Sequence, residues 1–233
     1  MKIVSFKICP FVQRVTALLE AKGIDYELEF ISLSNKPQWF LDISPNAQVP
    51  LLITDEGEAL FESDAIVEYI EEAFAPLRAG LTPVEKARER AWSYLATKHY
   101  LPQCGAQRSA DQDILTERSQ KLDKAFDTIE AQLGDTKFFA GDEISMVDVA
   151  WLVLLHRACI IEQKSGHDFL GDRPKLKAWQ TNIMQSGLPA KSVADDFVGA
   201  FSDFYLSDQT FLGRGAAAKS HVFSDSAPLD MCC

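Results

Sequence analysis

Three short segments put chemically useful groups at places where a folded backbone would present them to a ligand: Cys9-Pro10, Gln48-Val49-Pro50 and Glu62-Ser63. Proline has no N–H to lose, and its fixed φ suits the first helical position, so Cys9-Pro10 marks Cys9 as the residue that opens a helix. A thiol there lies beside unsatisfied backbone N–H groups and the positive end of the helix dipole, both of which stabilise its anion. The thiolate is the nucleophilic form, which makes Cys9 a candidate for disulfide exchange or for attack on an electrophile. Val12 stands where a Cys-x-x-Cys pair would have its second cysteine, so an external thiol would have to resolve a mixed disulfide. Val49-Pro50 precedes an apolar run; a proline there can hold a cis bond and leave the preceding backbone able to pair with an extended peptide. Ser63 as an N-cap offers its hydroxyl, backbone N–H groups and a helix dipole to a carboxylate, while Glu62 could face an ammonium. His99, His156, His167 and His221 have no metal-ligand spacing and no Gly-rich phosphate loop is present, so no metal is expected.

These groups need elements to hold them. From Lys2 to about Ala73 the apolar period keeps switching, as it does where short strands alternate with helices. Lys2 to Phe6 reads as a strand, and Phe11, Val15, Leu18 and Leu19 form a helical stripe over Pro10 to Lys22, closed by Gly23. A strand through Tyr26, Leu28 and Phe30, a short helix at Trp39-Phe40-Leu41, two strands at Leu51 to Ile53 and Ala59 to Phe61, and a helix from Ser63 complete the order βαβαββα. Pro76 and Gly80 mark a linker, after which no strand pattern is found. Thr82-Pro83-Val84-Glu85 is a capping box that opens a long helix, and Ser145-Met146-Val147-Asp148 repeats that logic before the most apolar helix. Further helices fit about Ile114 to Leu133, Met146 to Gln163, Pro174 to Met184 and Leu188 to Tyr205. The expected organisation is an α/β domain over 1–75, a linker over 76–82, an all-helical domain over 83–213 and a tail over 214–233.

With 34 acidic against 23 basic residues the net charge is −11, which repels phosphate backbones and anionic headgroups, so nucleic acid is not an expected partner. The longest apolar run, Val149 to Leu155, is far shorter than the ~20 residues a membrane span needs, and Lys7 interrupts the apolar N-terminus before it becomes a secretory signal. The five cysteines are odd in number and irregularly spaced, unlike a secreted disulfide framework. A cytoplasmic protein with no membrane partner is expected. Cys104 and Cys159 read as packed thiols. Adjacent Cys232 and Cys233 invite a lipidation reading that the acidic tail argues against.

Taken together, Cys9-Pro10-Phe11-Val12-Gln13-Arg14, Asn35-Lys36-Pro37-Gln38-Trp39-Phe40, Val49-Pro50 and Glu62-Ser63 resemble the N-terminal domain of omega-class glutathione transferases. Lys36 to Pro45 is also similar to plant dehydroascorbate reductases, and Pro174 to Trp179 and Phe204-Tyr205-Leu206 extend the omega likeness over roughly residues 1–213. The resemblance implies a thioredoxin-like domain that binds glutathione and an all-helical domain that closes an acceptor pocket. It implies that Cys9 forms a mixed disulfide with glutathione and that Phe11 lines the junction of the two sites. Leu33 and Lys36 would meet the glycine end of the tripeptide, Val49 would pair its backbone with the cysteinyl part beside Pro50, and Glu62 and Ser63 would take the γ-glutamyl end. Arg157 and Tyr205 fall at positions resembling acceptor-pocket residues, whereas Val198 replaces an aromatic residue of the human-type omega pattern. The implied activity is a glutathione-dependent thiol transferase or dehydroascorbate reductase acting on a small oxidised or electrophilic acceptor. Glutathione conjugation stands as an alternative, as does a non-catalytic protein like the chloride intracellular channels or polymerase-associated relatives of this scaffold. Omega enzymes imply a homodimer, whereas the reductases and channel-like proteins are typically monomers.

Overall fold

A computed structural model describes residues 1–215. The first half follows the expected order: β1 (Lys2–Ser5), α1 (Pro10–Lys22), β2 (Glu27–Phe30), α2 (Gln38–Ile43), β3 (Leu51–Ile53), β4 (Ala59–Phe61) and α3 (Ser63–Ala73). The strands form one sheet in the order β2-β1-β3-β4, with β1 parallel to β2 and the other pairs antiparallel. Ile3, Val4, Leu51 and Leu52 on the two central strands are fully buried, which is why those strands read as continuous apolar runs. Gly23 ends α1 in the left-handed region, with φ 62°, where a side chain would be strained.

The second half is helical: α4 (Pro83–Thr97), α5 (Tyr100–Gln107), α6 (Gln112–Gln132), α7 (Met146–Ser165), α8 (Pro174–Gln185), α9 (Leu188–Lys191), α10 (Phe197–Tyr205) and α11 (Phe211–Arg214). Both capping boxes form, Thr82 with Glu85 and Ser145 with Asp148. The helix α7 is buried along most of its length, and the Asp148 carboxylate at its start accepts from Ser145 N (2.8 Å), Ser145 Oγ (2.6 Å), Phe139 N (2.9 Å) and Trp179 Nε1 (2.6 Å). Burial still pushes this carboxyl up despite those donors. Among the described residues no helix is long and apolar enough to cross a membrane.

One helix was not marked in the sequence and two boundaries differ from expectation. The helix that opens at Pro83 ends at Thr97, and the unmarked α5 begins at Tyr100, which puts Pro102 in a first turn where its missing N–H is harmless. The stretch from Leu188 to Tyr205 is two helices, because the terminal carbonyl of Ser192 is taken by Thr16 Oγ1 of α1 at 2.7 Å, a tertiary bond that periodicity does not reveal. The helix α11 reaches Arg214, where the tail was expected to begin; Cys232 and Cys233 lie outside the described residues.

The halves meet along α1, which packs on α7 and α9. Gln13 Nε2 contacts His156 Nδ1 (2.8 Å) and Ser192 Oγ (3.3 Å), and the buried Arg14 ion-pairs with Asp64 of α3. The stripe that faces the sheet and the polar face that meets the helices thus share one short helix.

Candidate functional site

Cys9 is the N-cap residue of α1, with extended backbone (φ −69°, ψ 123°), and Pro10 follows at the first helical position. The Gln13 amide closes the first turn onto the Cys9 carbonyl at 3.2 Å. The thiol is 2% exposed and its Sγ lies 3.9 Å from the Val49 carbonyl oxygen. The Val49-Pro50 bond is cis. Val49 stands two residues before the paired part of β3, so the chain segment facing Cys9 is loop backbone at the sheet's rim.

A cleft of about 120 Å³ opens beside this corner, lined by Phe11, Asn46, Gln48, Val49, Pro50, Glu62, Ser63 and Leu101. It brings together five residues singled out in the sequence: Phe11, Val49, Pro50, Glu62 and Ser63. The N-termini of two helices border it, α1 through Phe11 and α3 through Ser63, so unsatisfied amides and two positive dipole ends favour an anion here. Ser63 is the first helical residue, not the N-cap; the cap position belongs to Glu62. Glu62 has φ 67° and Ala47 has φ 52°, and these are the two non-glycine residues with positive φ among the described residues. Strain of this kind gathers where a backbone group must be aimed. The Glu62 carboxylate is exposed and accepts from Asn46 Nδ2 at 2.9 Å, while Asn46 Oδ1 accepts from the Gln48 amide at 3.2 Å. A carboxylate so oriented can receive an ammonium, and Ser63 with its helix end can receive a carboxylate.

Lys36 and Leu33 do not line this cleft. Lys36 Nζ donates to the Ala47 carbonyl at 2.7 Å, bracing the loop that carries Asn46 and Gln48, and Leu33 packs half-buried against the core. Asn46 and Leu101 were not singled out, and Gln48 was named only as the residue before Val49-Pro50, with no role of its own. The Pro45-Asn46 pair is a turn signal that points to Asn46, whereas Leu101 comes from α5 and reaches the cleft only through folding.

A second cavity, of about 480 Å³, is lined by Phe6, Lys7, Ile8, Phe30, Ile31, Ser32, Ala200, Asp203 and Phe204, and so reaches the residue before Cys9. Lys7 pairs with Asp196 at 2.5 Å. The helix α10 turns Ala200, Asp203 and Phe204 to this cavity and Phe197, Phe201 and Tyr205 inward. Arg157 and Tyr205, expected at an acceptor pocket, are both fully buried and line neither space. Tyr205 packs on Phe201 and Phe204. The Arg157 guanidinium donates to Gln13 Oε1 and, at 2.9 Å, to the carbonyl of Ile8, the residue before Cys9. Its neighbour His156 stacks on Phe197 and is pushed down to about 3 by burial and by the Arg157 charge, so it is neutral. Cys104 is buried; Cys159 is half-buried, its thiol pushed up by burial. Among the described residues no cluster of side chains is arranged to hold a metal.

Residues 8–73 match the family model for the glutathione S-transferase N-terminal domain and residues 112–179 the one for the C-terminal domain. The chain is 30% identical over 213 residues to glutathione S-transferase omega-1 of Sus scrofa, covering 89% of this chain and 87% of that one. It is 33% identical over 159 residues to glutathione S-transferase DHAR2 of Arabidopsis thaliana, covering 68% and 70%. Among solved structures, glutathione transferase Omega 3C from Trametes versicolor superposes with a TM-score of 0.70 at 26% identity, over 83% of this chain and 89% of that one. A rice glutathione transferase solved in complex with glutathione gives a TM-score of 0.72 at 25% identity, over 88% and 97%.

Proposed function

Because this chain belongs to the glutathione S-transferase family, with omega-class relatives along most of its length, we propose that it is a glutathione-dependent thiol transferase that works through a mixed disulfide on Cys9. The observation that carries the reading is the placement of Cys9 at the start of α1, its sulfur against Val49 beside a cleft built for both charges of a zwitterion. Glutathione lies with its γ-glutamyl carboxylate on Ser63 and the α3 terminus, its ammonium on Glu62, and its cysteinyl backbone along Val49. Lys36 and Leu33 serve the glycine end, for which Lys36 must exchange its hold on Ala47 for the glycine carboxylate.

In the reaction the Cys9 thiolate attacks the glutathione sulfur of a mixed disulfide. A bond forms between Cys9 and that sulfur, and the acceptor leaves as a thiolate that takes up a proton. A second glutathione thiolate then attacks the Cys9 adduct, releasing oxidised glutathione and restoring the Cys9 thiolate. With dehydroascorbate the Cys9 thiolate instead adds to a carbonyl carbon; a glutathione thiolate then attacks the Cys9 sulfur, breaking its bond to that carbon so that ascorbate leaves with the electron pair and takes up protons, and a second glutathione resolves the Cys9 adduct as before, two glutathiones supplying the two electrons. The acceptor enters from the apolar cavity on the Ile8 side, whose walls favour bulky apolar disulfides over a small polar ring. A serine or tyrosine in place of Cys9 would favour conjugation by leaving the nucleophile to glutathione itself.

Mass spectrometry after exposure to oxidised glutathione tests the reading. The protein should gain one glutathione on the peptide that contains Cys9, removable by dithiothreitol and missing in Cys9→Ser. Failure of Cys9 to take up glutathione, with the protein folded, would move the reading to a non-catalytic member of the family.

A further inference from the structure

Two arginines are buried where the halves of the molecule meet, and they differ in what balances their charge. Arg14 is paired with the Asp64 carboxylate. Arg157 is fully buried, and among the described residues no carboxylate forms an ion pair with it. Its partners are neutral: the Gln13 amide oxygen, the Ile8 carbonyl, and the rings of Phe197 and Phe201 with centroids 5.4 and 5.9 Å away, while its Nε has no partner. A desolvated guanidinium without an anion is costly, and a fold that retains one needs something to offset it.

The two acceptors bracket Cys9. Ile8 precedes it, and Gln13 is the residue whose amide closes the first turn of α1 on the Cys9 carbonyl. A planar fork that grips both fixes the loop and the helix start as one unit. We propose that Arg157 is a positioning residue for Cys9, holding the residue before it and the first turn after it, and that its buried charge is balanced by the Cys9 thiolate. The other charged groups at this end of the molecule are already engaged: Arg14 with Asp64, Lys7 with Asp196, and Glu62 with Asn46. His156, beside Arg157 on α7, is neutral, and Tyr100 on α5 is buried with its phenol pushed up, so neither supplies an anion. This assignment rests on Cys9 being the reacting thiol.

The test is the pH dependence of iodoacetamide alkylation, followed on the Cys9 peptide by mass spectrometry, in wild type, Arg157→Met, Arg157→Lys and Gln13→Glu. Arg157→Met should move the alkylation midpoint up by about one pH unit, slowing the reaction roughly tenfold below the midpoint. Gln13→Glu gives the guanidinium an anion of the same shape and keeps its hydrogen bond while giving up the Nε2 contacts with His156 and Ser192, so it should move the midpoint the same way, with an unchanged circular dichroism spectrum showing that the fold is kept. Arg157→Lys keeps the charge but not the fork; its midpoint should stay while thiol transferase kcat/KM falls. A midpoint unchanged in Gln13→Glu overturns the charge balance, whether or not Arg157→Met folds. A low wild-type midpoint unmoved by either variant removes Arg157 alone, whereas a wild-type midpoint at the ordinary thiol value of about 8.5 removes Cys9 itself from the chemistry.

Discussion

The two halves of the molecule encode function in different ways. In the sheet-bearing half, the groups at or beside the cleft sit at the ends of elements: Val49-Pro50 before β3 and Glu62-Ser63 between β4 and α3 line it, and Cys9 before α1 lies against Val49. Each is placed by local backbone rules, so a short motif suffices to mark it. In the helical half, a side chain's role depends on which way its helix is rolled. Ala200 and Phe204 face the apolar cavity while Phe201 and Tyr205, one position on from each, face the core. On the function proposed above, cosubstrate binding is written in element ends and acceptor choice in helix orientation.

The strongest way to break this contrast is at Cys9. Cys9→Ser should reduce glutathione-dependent reduction of hydroxyethyl disulfide to background while leaving the thermal transition in place, since a hydroxyl cannot form the mixed disulfide but nearly fills the same space. Retained turnover would show that the helix-end rule misleads here. Next is Asp148, which anchors the helical half. Asp148→Ala leaves four donors, Phe139 N, Ser145 N, Ser145 Oγ and Trp179 Nε1, without their acceptor, and should cost about 3 kcal/mol or more in urea denaturation. Because α7 packs on α1, the loss should appear in one transition with both halves unfolding together. A variant that lost only its helical half would show that α1 does not bind the halves into one unit.

Smaller effects sharpen the contrast. Ser63→Ala removes one charge-assisted hydrogen bond, worth roughly 1.5–3 kcal/mol, so titration calorimetry should find glutathione bound about ten to a hundred times more weakly. His156 gives a pH signature to the helical side. It is neutral when folded, with its pKa pushed down to about 3, and takes up a proton near pH 6.5 when unfolded. The unfolded state therefore binds an extra proton between those values. The stability His156 contributes is fully present above about pH 6.5 and is lost at up to about 1.4 kcal/mol per unit as pH falls towards 3. Melting temperatures from pH 7 to 5 should fall less steeply in His156→Gln than in wild type. Lys36→Ala should have the smallest effect on glutathione, on the order of 1 kcal/mol and weaker at high salt, because the carboxylate it would meet is solvent-screened.

The sheet half was legible almost to its boundaries because strand length, Gly23 and the prolines act over a few residues. For the same reason the sequence marked Phe11, Val49, Pro50, Glu62 and Ser63 of the cleft lining, with Cys9 beside it, and even the one-residue shift of the α3 cap leaves Ser63 at the helix start. Leu101 and the cavity walls at Phe6, Phe30, Ala200 and Phe204 were not singled out, since apolar residues on amphipathic elements look alike whether they face a core or a cavity. Arg157 shows the same limit for a polar residue. Its position on α7 was noted from a family likeness, but its grip on Ile8 and Gln13 joins residues 149 and 144 positions apart.

The bonds of α1 to its surroundings bear also on motion. Gln13, Arg14 and Thr16 each tie it to a different neighbour, α7, α3 and the end of α9. The Arg14 pair lies within the sheet-bearing half, but a hinge between the two halves would have to break the ties of Gln13 and Thr16 together with the grip of Arg157 on Gln13 and Ile8. Ligands must then enter and leave by local breathing of the Ser44 to Gln48 loop and of α10, over a rigid floor. In hydrogen exchange the amides of α1 would report only the slow, global opening of the chain, and those of the Ser44 to Gln48 loop the rapid one.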